Sequence, residues 1–149
     1  MPNWCSNRLI VSGPSASVRA VIDLMRSDDE KSEFSFENVI PCPECLHAVS
    51  AGSDEIHYQI KYGNWEGVAS YGWCAGAPTE SREAFIEWWR SSPTTADDNS
   101  RDHSKFDEIA DMYKRNVDTT GYLTWYPFCT DRWGTKWDAS DVSIDTDAP

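Results

Sequence analysis

The spacing of apolar residues predicts three amphipathic helices. In the segments 15–25, 80–90 and 104–113, apolar residues recur at intervals of three and four, which places them on one face of a helix. In the first segment these residues are Val18, Val21, Ile22 and Met25. Serines that can cap a helix lie at the start of this segment. We therefore expect each helix to bury one face and to expose the other.

Other segments have the pattern of strands. Residues 7–12 form a run rich in branched side chains that ends at Gly13 and Pro14, and Phe34 and Phe36 alternate with polar residues. The aromatic segment 122–126 and the pair Val142 and Ile144 predict two more strands. Segment 56–62 fits both periods and stays ambiguous. Segment 63–76, rich in glycine and aromatics, is expected to be irregular.

Composition indicates one folded domain of class α+β. The chain has 149 residues, of which 40% are hydrophobic and 8 are tryptophan, enough apolar material for a core. Strands are predicted towards both ends of the chain, and helices lie between them. We therefore predict a single domain, 1–149, with a helical insertion at about 44–120.

The charge balance favours a basic protein as partner. Lysine and arginine number 13 against 25 acidic residues, which gives a formal net charge of -12. Such a chain repels the phosphates of nucleic acids, so no direct nucleic-acid binding is predicted, whereas a protein surface that normally holds DNA or RNA would attract it. The alternative interpretation is that the charge only keeps the protein dispersed.

The first residues, the lack of a long apolar stretch and the cysteines indicate a cytoplasmic protein. The first residues lack the basic and apolar run of a signal peptide, and no apolar stretch is long enough for a membrane span, so no membrane partner is predicted. The five cysteines are an odd number and are expected to be free thiols.

Cys42 and Cys45 have the spacing of half a zinc site. A complete site would need further ligands, for which the candidates are His47, Cys74, Cys129 and Cys5. No second close pair of ligands is present in the sequence. We therefore predict no metal and no cofactor, and a zinc-stabilised structural or regulatory module is an alternative.

Sequence motifs of common enzymes are absent. The chain has no phosphate-binding loop, no His-Glu-x-x-His motif and no dinucleotide fingerprint. None of the three histidines lies in a recognisable nucleophile context. The prediction is a non-catalytic protein, and an enzyme with an unrecognised site is the second alternative.

Three phrases carry a resemblance to a known family. They are residues 1–9 (MPNWCSNRL), residues 40–44 (IPCPE) and residues 133–139 (WGTKWDA). In these phrases the chain resembles phage- and plasmid-borne proteins with a YubB-type ferredoxin-like domain, although Arg132 stands where the family usually has asparagine. Segment 50–120 carries little of the resemblance. The family continues beyond the last phrase with a strand, a helix and another strand, so the expected fold is incomplete at its C-terminal end.

The resemblance implies a ferredoxin-like antiparallel sheet with an open edge. That edge would be covered by the central helices, by a partner or by a second copy in a homodimer. Adjacent first and third strands would bring Asn3 and Trp4 close to Lys136 and Asp138, forming a partner-binding patch. The structural alternative is a tryptophan-anchored corner in which Asn3, Asn7 and Asp138 bond to turn backbones and Gly134 adopts an unusual φ angle.

An acidic stretch in the sequence completes the functional prediction. Six acids gather between residues 97 and 111, namely Asp97, Asp98, Asp102, Asp107, Glu108 and Asp111. If these six carboxylates lie on one side of the protein, they would imitate the row of phosphates along a nucleic acid. Together with the resemblance, this predicts a non-catalytic accessory protein of a mobile genetic element that binds a host protein. One such role is inhibition of a nucleic-acid-handling defence complex such as a CRISPR effector, as an anti-CRISPR protein or DNA mimic.

Overall fold

The computed structural model describes residues 5–27, 32–52, 54–92 and 105–146. All regular elements in these ranges are helical. They are α1 (Ser15–Met25), α2 (Phe36–Val39), α3 (Glu44–His47), α4 (Glu55–Lys61), α5 (Trp65–Ala69), a 3₁₀ turn (Gly72–Cys74), α6 (Arg82–Ser91), α7 (Phe106–Thr120) and α8 (Trp125–Arg132). No helix in the described ranges is long and apolar enough to cross a membrane.

The predicted α+β ferredoxin-like fold is wrong, because the described residues contain no strand. A strand needs a neighbouring strand to bond its backbone groups, and segment 7–12 has no such neighbour in these ranges. It is irregular, with Leu9 and Ile10 each 71% exposed. The homodimer through an open sheet edge is also wrong, since no sheet is present to offer an edge.

Side-chain caps explain why the segment after Phe34 turns into a helix. The hydroxyl of Ser35 accepts a hydrogen bond from the Glu37 backbone N–H at 3.1 Å, and the Asp138 carboxylate accepts one from the Phe36 N–H at 2.7 Å. These bonds satisfy amides that a helix start leaves open. The helix α2 begins here instead of the predicted strand.

The aromatic segment 122–126 also leads into a helix. Thr124 has extended backbone angles and precedes α8, in which Pro127 is the third residue. A proline in the first turn of a helix loses no hydrogen bond, because the amides there have no partner within the helix. Pro127 was therefore the signal for a helix, and the aromatic content that indicated a strand was misleading.

The helices predicted from the spacing of apolar residues are confirmed as α1, α6 and α7. The ambiguous segment 56–62 lies almost entirely in α4, which buries His57 and Ile60. Segment 63–76 was expected to be irregular, and this is wrong in part because it holds α5 and the 3₁₀ turn. The side chain of Asn64 starts α5 by accepting a hydrogen bond from the Gly67 N–H at 3.0 Å.

The chain divides into two compact units, which are Met1–Pro41 with Trp137–Pro149, and Cys42–Lys136. In the smaller unit α1 packs against α2 but buries none of its residues. The Ser35 N–H bonds to the Met25 carbonyl at 3.0 Å, and the Glu33 N–H bonds to the Val142 carbonyl at 3.2 Å. Such isolated bonds hold the predicted strand segment 142–144 without forming a ladder.

The larger unit has an aromatic core between α4, α5, α6 and α7. Its fully buried members are Ile60, Val68, Cys74, Phe85, Trp89 and Phe106. Phe85 and Trp89 lie one turn apart on α6, and their rings stack with centroids 6.3 Å apart. The α4 helix packs against α5, α6 and α7, so it lies at the centre of this unit.

A second cluster connects α3 and α8. It consists of Cys42, Leu46, Phe128 and Cys129, and all four are buried. Asn116, only 5% exposed, joins this region to α7: its amide nitrogen donates to the Cys45 carbonyl at 3.2 Å and to the Leu123 carbonyl at 3.0 Å. One side chain thus fixes three segments.

We predict that Asn116→Asp is more damaging than Asn116→Ala. Aspartate keeps the shape but turns a carboxylate oxygen towards two carbonyl oxygens, which should cost about 2–4 kcal/mol of unfolding free energy at pH 7. Urea unfolding measures this. Folding would raise the pKa of the new carboxyl, so the loss should shrink as pH falls through that raised value. Two findings together would contradict this account: equal losses of unfolding free energy for the two variants at pH 7, and no change in either loss as the pH falls.

Candidate protein-binding surface

Five of the ten residues predicted to bind a partner lie outside the described residues. They are Asn3, Trp4, Asp97, Asp98 and Asp102. The other five lie in both units. Asp107, Glu108 and Asp111 belong to the first half of α7, and Lys136 belongs to the larger unit, whereas Asp138 belongs to the smaller one.

Asp107 and Asp111 form ion pairs within the chain. The Lys61 ammonium lies 2.8 Å from a carboxylate oxygen of Asp107 and 2.7 Å from one of Asp111. Arg90 also pairs with Asp107, at 2.5 Å, and the Tyr62 hydroxyl donates to Asp111 at 2.6 Å. Residues of α4, α6 and α7 therefore meet in one network, which we call the Lys61 cluster (Lys61, Tyr62, Arg90, Asp107 and Asp111).

The pKa values in the Lys61 cluster shift as expected for such a network. Burial by itself would lower the pKa of Lys61, but hydrogen bonds to Asp107 and Asp111 outweigh it and raise the pKa. The hydrogen bond from Lys61 lowers the pKa of Asp107, and the bonds from Lys61 and Tyr62 lower that of Asp111. These carboxylates thus stay ionised and engaged inside the chain at neutral pH.

The remaining predicted residues, Glu108, Lys136 and Asp138, do not belong to the Lys61 cluster. Glu108 is exposed on α7, and the Lys136 ammonium lies 5.9 Å from the ring centroid of Tyr126. The Asp138 carboxylate accepts hydrogen bonds from the Ser35 hydroxyl at 2.6 Å and from the Phe36 and Ala139 N–H groups. For Asp138 the alternative of a residue that bonds turn backbone is confirmed, as is the positive φ of Gly134, 73°.

An acidic surface that the sequence analysis missed lies on α6. Glu83 and Glu87, four residues apart, are exposed on the side of α6 opposite the buried Phe85 and Trp89, and the exposed Glu80 directly precedes the N-cap residue Ser81. We call these three glutamates the α6 acidic face. Among the described residues, no basic side chain forms an ion pair with them.

Arg90 would be the natural counter-charge for the α6 acidic face. It lies three residues beyond Glu87, a spacing at which side chains on a helix can pair. Instead its guanidinium pairs with Asp107 and lies 5.4 Å from the centroid of the Phe106 ring. The Lys61 cluster thus draws the cation away from the three glutamates. The glutamate spacing opposite two aromatics was visible in the sequence, but the direction of Arg90 was not.

A small cleft lies beside α5. Its lining residues are Trp65, Glu66, Ala69, Ser70 and Thr79, and its volume is about 180 Å³. Trp65 packs on Phe85 with ring centroids 5.7 Å apart, which anchors one wall to the core. Thr79 precedes Glu80, so the cleft borders the start of the α6 acidic face in the chain.

Three of the five cysteines contribute to packing in the described part of the chain. Cys42 and Cys129 are buried in the second apolar cluster, Cys74 is buried in the aromatic core, and Cys5 and Cys45 are exposed. Within the four described ranges, no group of three or more Cys, His, Asp or Glu side chains is close enough to hold a metal ion. No geometry there supports the alternative of a zinc-stabilised module.

Comparison of the chain with protein families, curated proteins and solved structures finds no match. The resemblance to phage and plasmid proteins therefore stays a prediction from the sequence. Any functional conclusion must come from the charges, contacts and shape of this chain.

The ion pairs of Asp111 predict a pH-dependent contribution to stability. Folding lowers its pKa, so the stabilisation is present above the unfolded value of about 4 and is lost as pH falls through the folded value. Asp111→Asn should destabilise the protein at pH 7 by less than about 1 kcal/mol, because the pair is half-exposed. The difference from the native protein should vanish near pH 2.

Thermal unfolding across this pH range measures the effect, and Asp118→Asn is the matched control. Among the described residues, the ion-pair partner of Asp118 is Lys114, one turn away on the exposed side of α7. Asp118→Asn should therefore change the dependence of thermal stability on pH less than Asp111→Asn does. Identical profiles for the two variants would show that the Lys61 cluster has no special role in stability.

Proposed function

We propose that this protein is a non-catalytic binding protein whose acidic surface docks on a basic surface of another protein, of the kind that normally holds DNA or RNA. The observation that carries the proposal is the α6 acidic face, with two exposed carboxylates on a helix anchored by the aromatic core and a third, that of Glu80, just before the helix. A rigid row of charge holds its geometry when a partner binds, so less ordering is required.

Electrostatic complementarity supports this choice. The formal net charge of -12 attracts basic surfaces over a distance and raises association rates, and it repels nucleic acids. Asp107 and Asp111 would have to leave Lys61 before they could pair with a partner, whereas the α6 acidic face needs no such exchange. Glu108 stays part of the proposed surface on the strength of the sequence. So do Asp97, Asp98 and Asp102, which lie outside the described residues.

The biological setting of the proposal comes from the sequence resemblance. An accessory protein of a phage or plasmid gains from occupying a host groove that binds nucleic acid. We therefore infer a host nucleic-acid-handling complex as partner, with inhibition of a defence complex such as a CRISPR effector as the specific role. Phosphate mimicry by carboxylates is the chemistry that supports this inference.

Charge reversal on α6 tests the proposal. Glu83→Lys with Glu87→Lys should reduce recovery of a basic partner from host lysate about tenfold, because two attractive contacts become repulsive. Quantitative mass spectrometry of the captured proteins at physiological salt measures the loss. Both positions are exposed, so circular dichroism should show an unchanged helical fold.

The matched control is Asp23→Lys with Glu44→Lys, which changes the net charge by the same amount at exposed positions on α1 and α3. It should retain most of the capture. Equal loss in both double variants would show that the net charge, not the α6 acidic face, holds the partner. Full capture by the α6 variant with loss in Asp97→Lys, Asp98→Lys, Asp102→Lys would move the interface to that stretch.

A further inference from the structure

The cleft beside α5 has walls of two kinds. Trp65 supplies an aromatic surface and Ala69 a methyl group, and both pack partly against the aromatic core. The lining surface is mostly apolar, and the polar residues Glu66, Ser70 and Thr79 complete it. An elongated side chain with an apolar stem and a polar end fits such a mixture.

The polar atoms of the cleft favour a ligand rich in hydrogen-bond donors. The Ser70 hydroxyl already donates to the Gly67 carbonyl at 2.7 Å, so its lone pairs are what it presents to a ligand. The exposed carboxylate of Glu66 only accepts, and no basic side chain within the described ranges pairs with it. None of the described lysine or arginine residues lines the cleft.

We propose that the cleft receives one arginine side chain of the basic partner, an inference that rests on the proposed function and specifies where contact is made. The planar guanidinium stacks on an indole ring, as for Trp65, and offers five N–H donors in a fork that suits a carboxylate such as Glu66. A lysine ammonium is a compact charge without this planar fit. The position next to Glu80 gives the same partner a second acidic contact.

Nα-acetyl-arginine amide is the probe that tests the cleft directly. Nuclear magnetic resonance of the indole N–H groups follows its binding, and Trp65→Phe identifies the Trp65 signal among the 8 tryptophans. We expect a saturable shift of the Trp65 signal. In Glu66→Gln the dissociation constant should rise about tenfold, because a charge-assisted bond becomes neutral.

Glu44→Gln is the matched control, since it removes the same charge from an exposed site on α3 and should leave binding unchanged. Nα-acetyl-lysine amide should bind at least severalfold more weakly, and the citrulline analogue, which lacks the charge, should bind more weakly still. A missing Trp65 shift, equal effects of the two glutamine substitutions, or equal binding of arginine and lysine would each overturn the assignment.

The result separates the cleft from the proposed function. If Glu66→Gln leaves arginine binding intact while the α6 double variant loses its partner, the cleft assignment is wrong and the proposed function stands. If the α6 double variant keeps its partner and Trp65 still responds to arginine through Glu66, the cleft assignment is supported and the α6 interface is wrong.

Discussion

The packing of α4 against α5, α6 and α7 is the constraint on which the larger unit depends, and the ion pairs of Lys61 fix one end of that helix. Lys61 is the last residue of α4, and its contacts with Asp107 and Asp111 hold that helix against α7. Arg82 reinforces the same end by donating to the carbonyls of Lys61 at 3.0 Å and Gly63 at 2.8 Å. Because α4 packs against three other helices, fixing its end fixes the frame around the aromatic core.

The same network determines which charges face outward. By engaging Arg90 it leaves the glutamates of α6 without a cation from the described residues, and by engaging Asp107 and Asp111 it removes two acids from the predicted partner surface. Although acidic residues are in excess, the carboxylates of different stretches are therefore not equally available for contact with a partner. Folding and the proposed function are connected here, because the ion pairs that stabilise the larger unit also determine which of its carboxylates remain without a cation.

Sequence reasoning predicted α1, α6 and α7 because helical periodicity is local and can be read from neighbouring residues. It failed for the strands because pairing depends on distant segments. One of the hydrogen bonds that turn the chain at Phe36 is donated by the Phe36 N–H to Asp138, 102 positions away, and no local pattern reveals it. The site follows the same division: the acids at 107–111 were visible, but their engagement by Lys61 and Arg90 depends on tertiary contacts between helices that are distant in sequence.

Charge alone would give this protein affinity for many basic surfaces, and a cleft for one side chain answers that problem. In the proposed complex, contacts of the α6 acidic face are screened beyond about 8 Å at physiological salt, so they would act at short range on any basic surface. A guanidinium between Trp65 and Glu66 would fit only where the partner places an arginine. The α6 acidic face would thus supply attraction and the cleft selection, so that discrimination among basic partners would depend on the cleft.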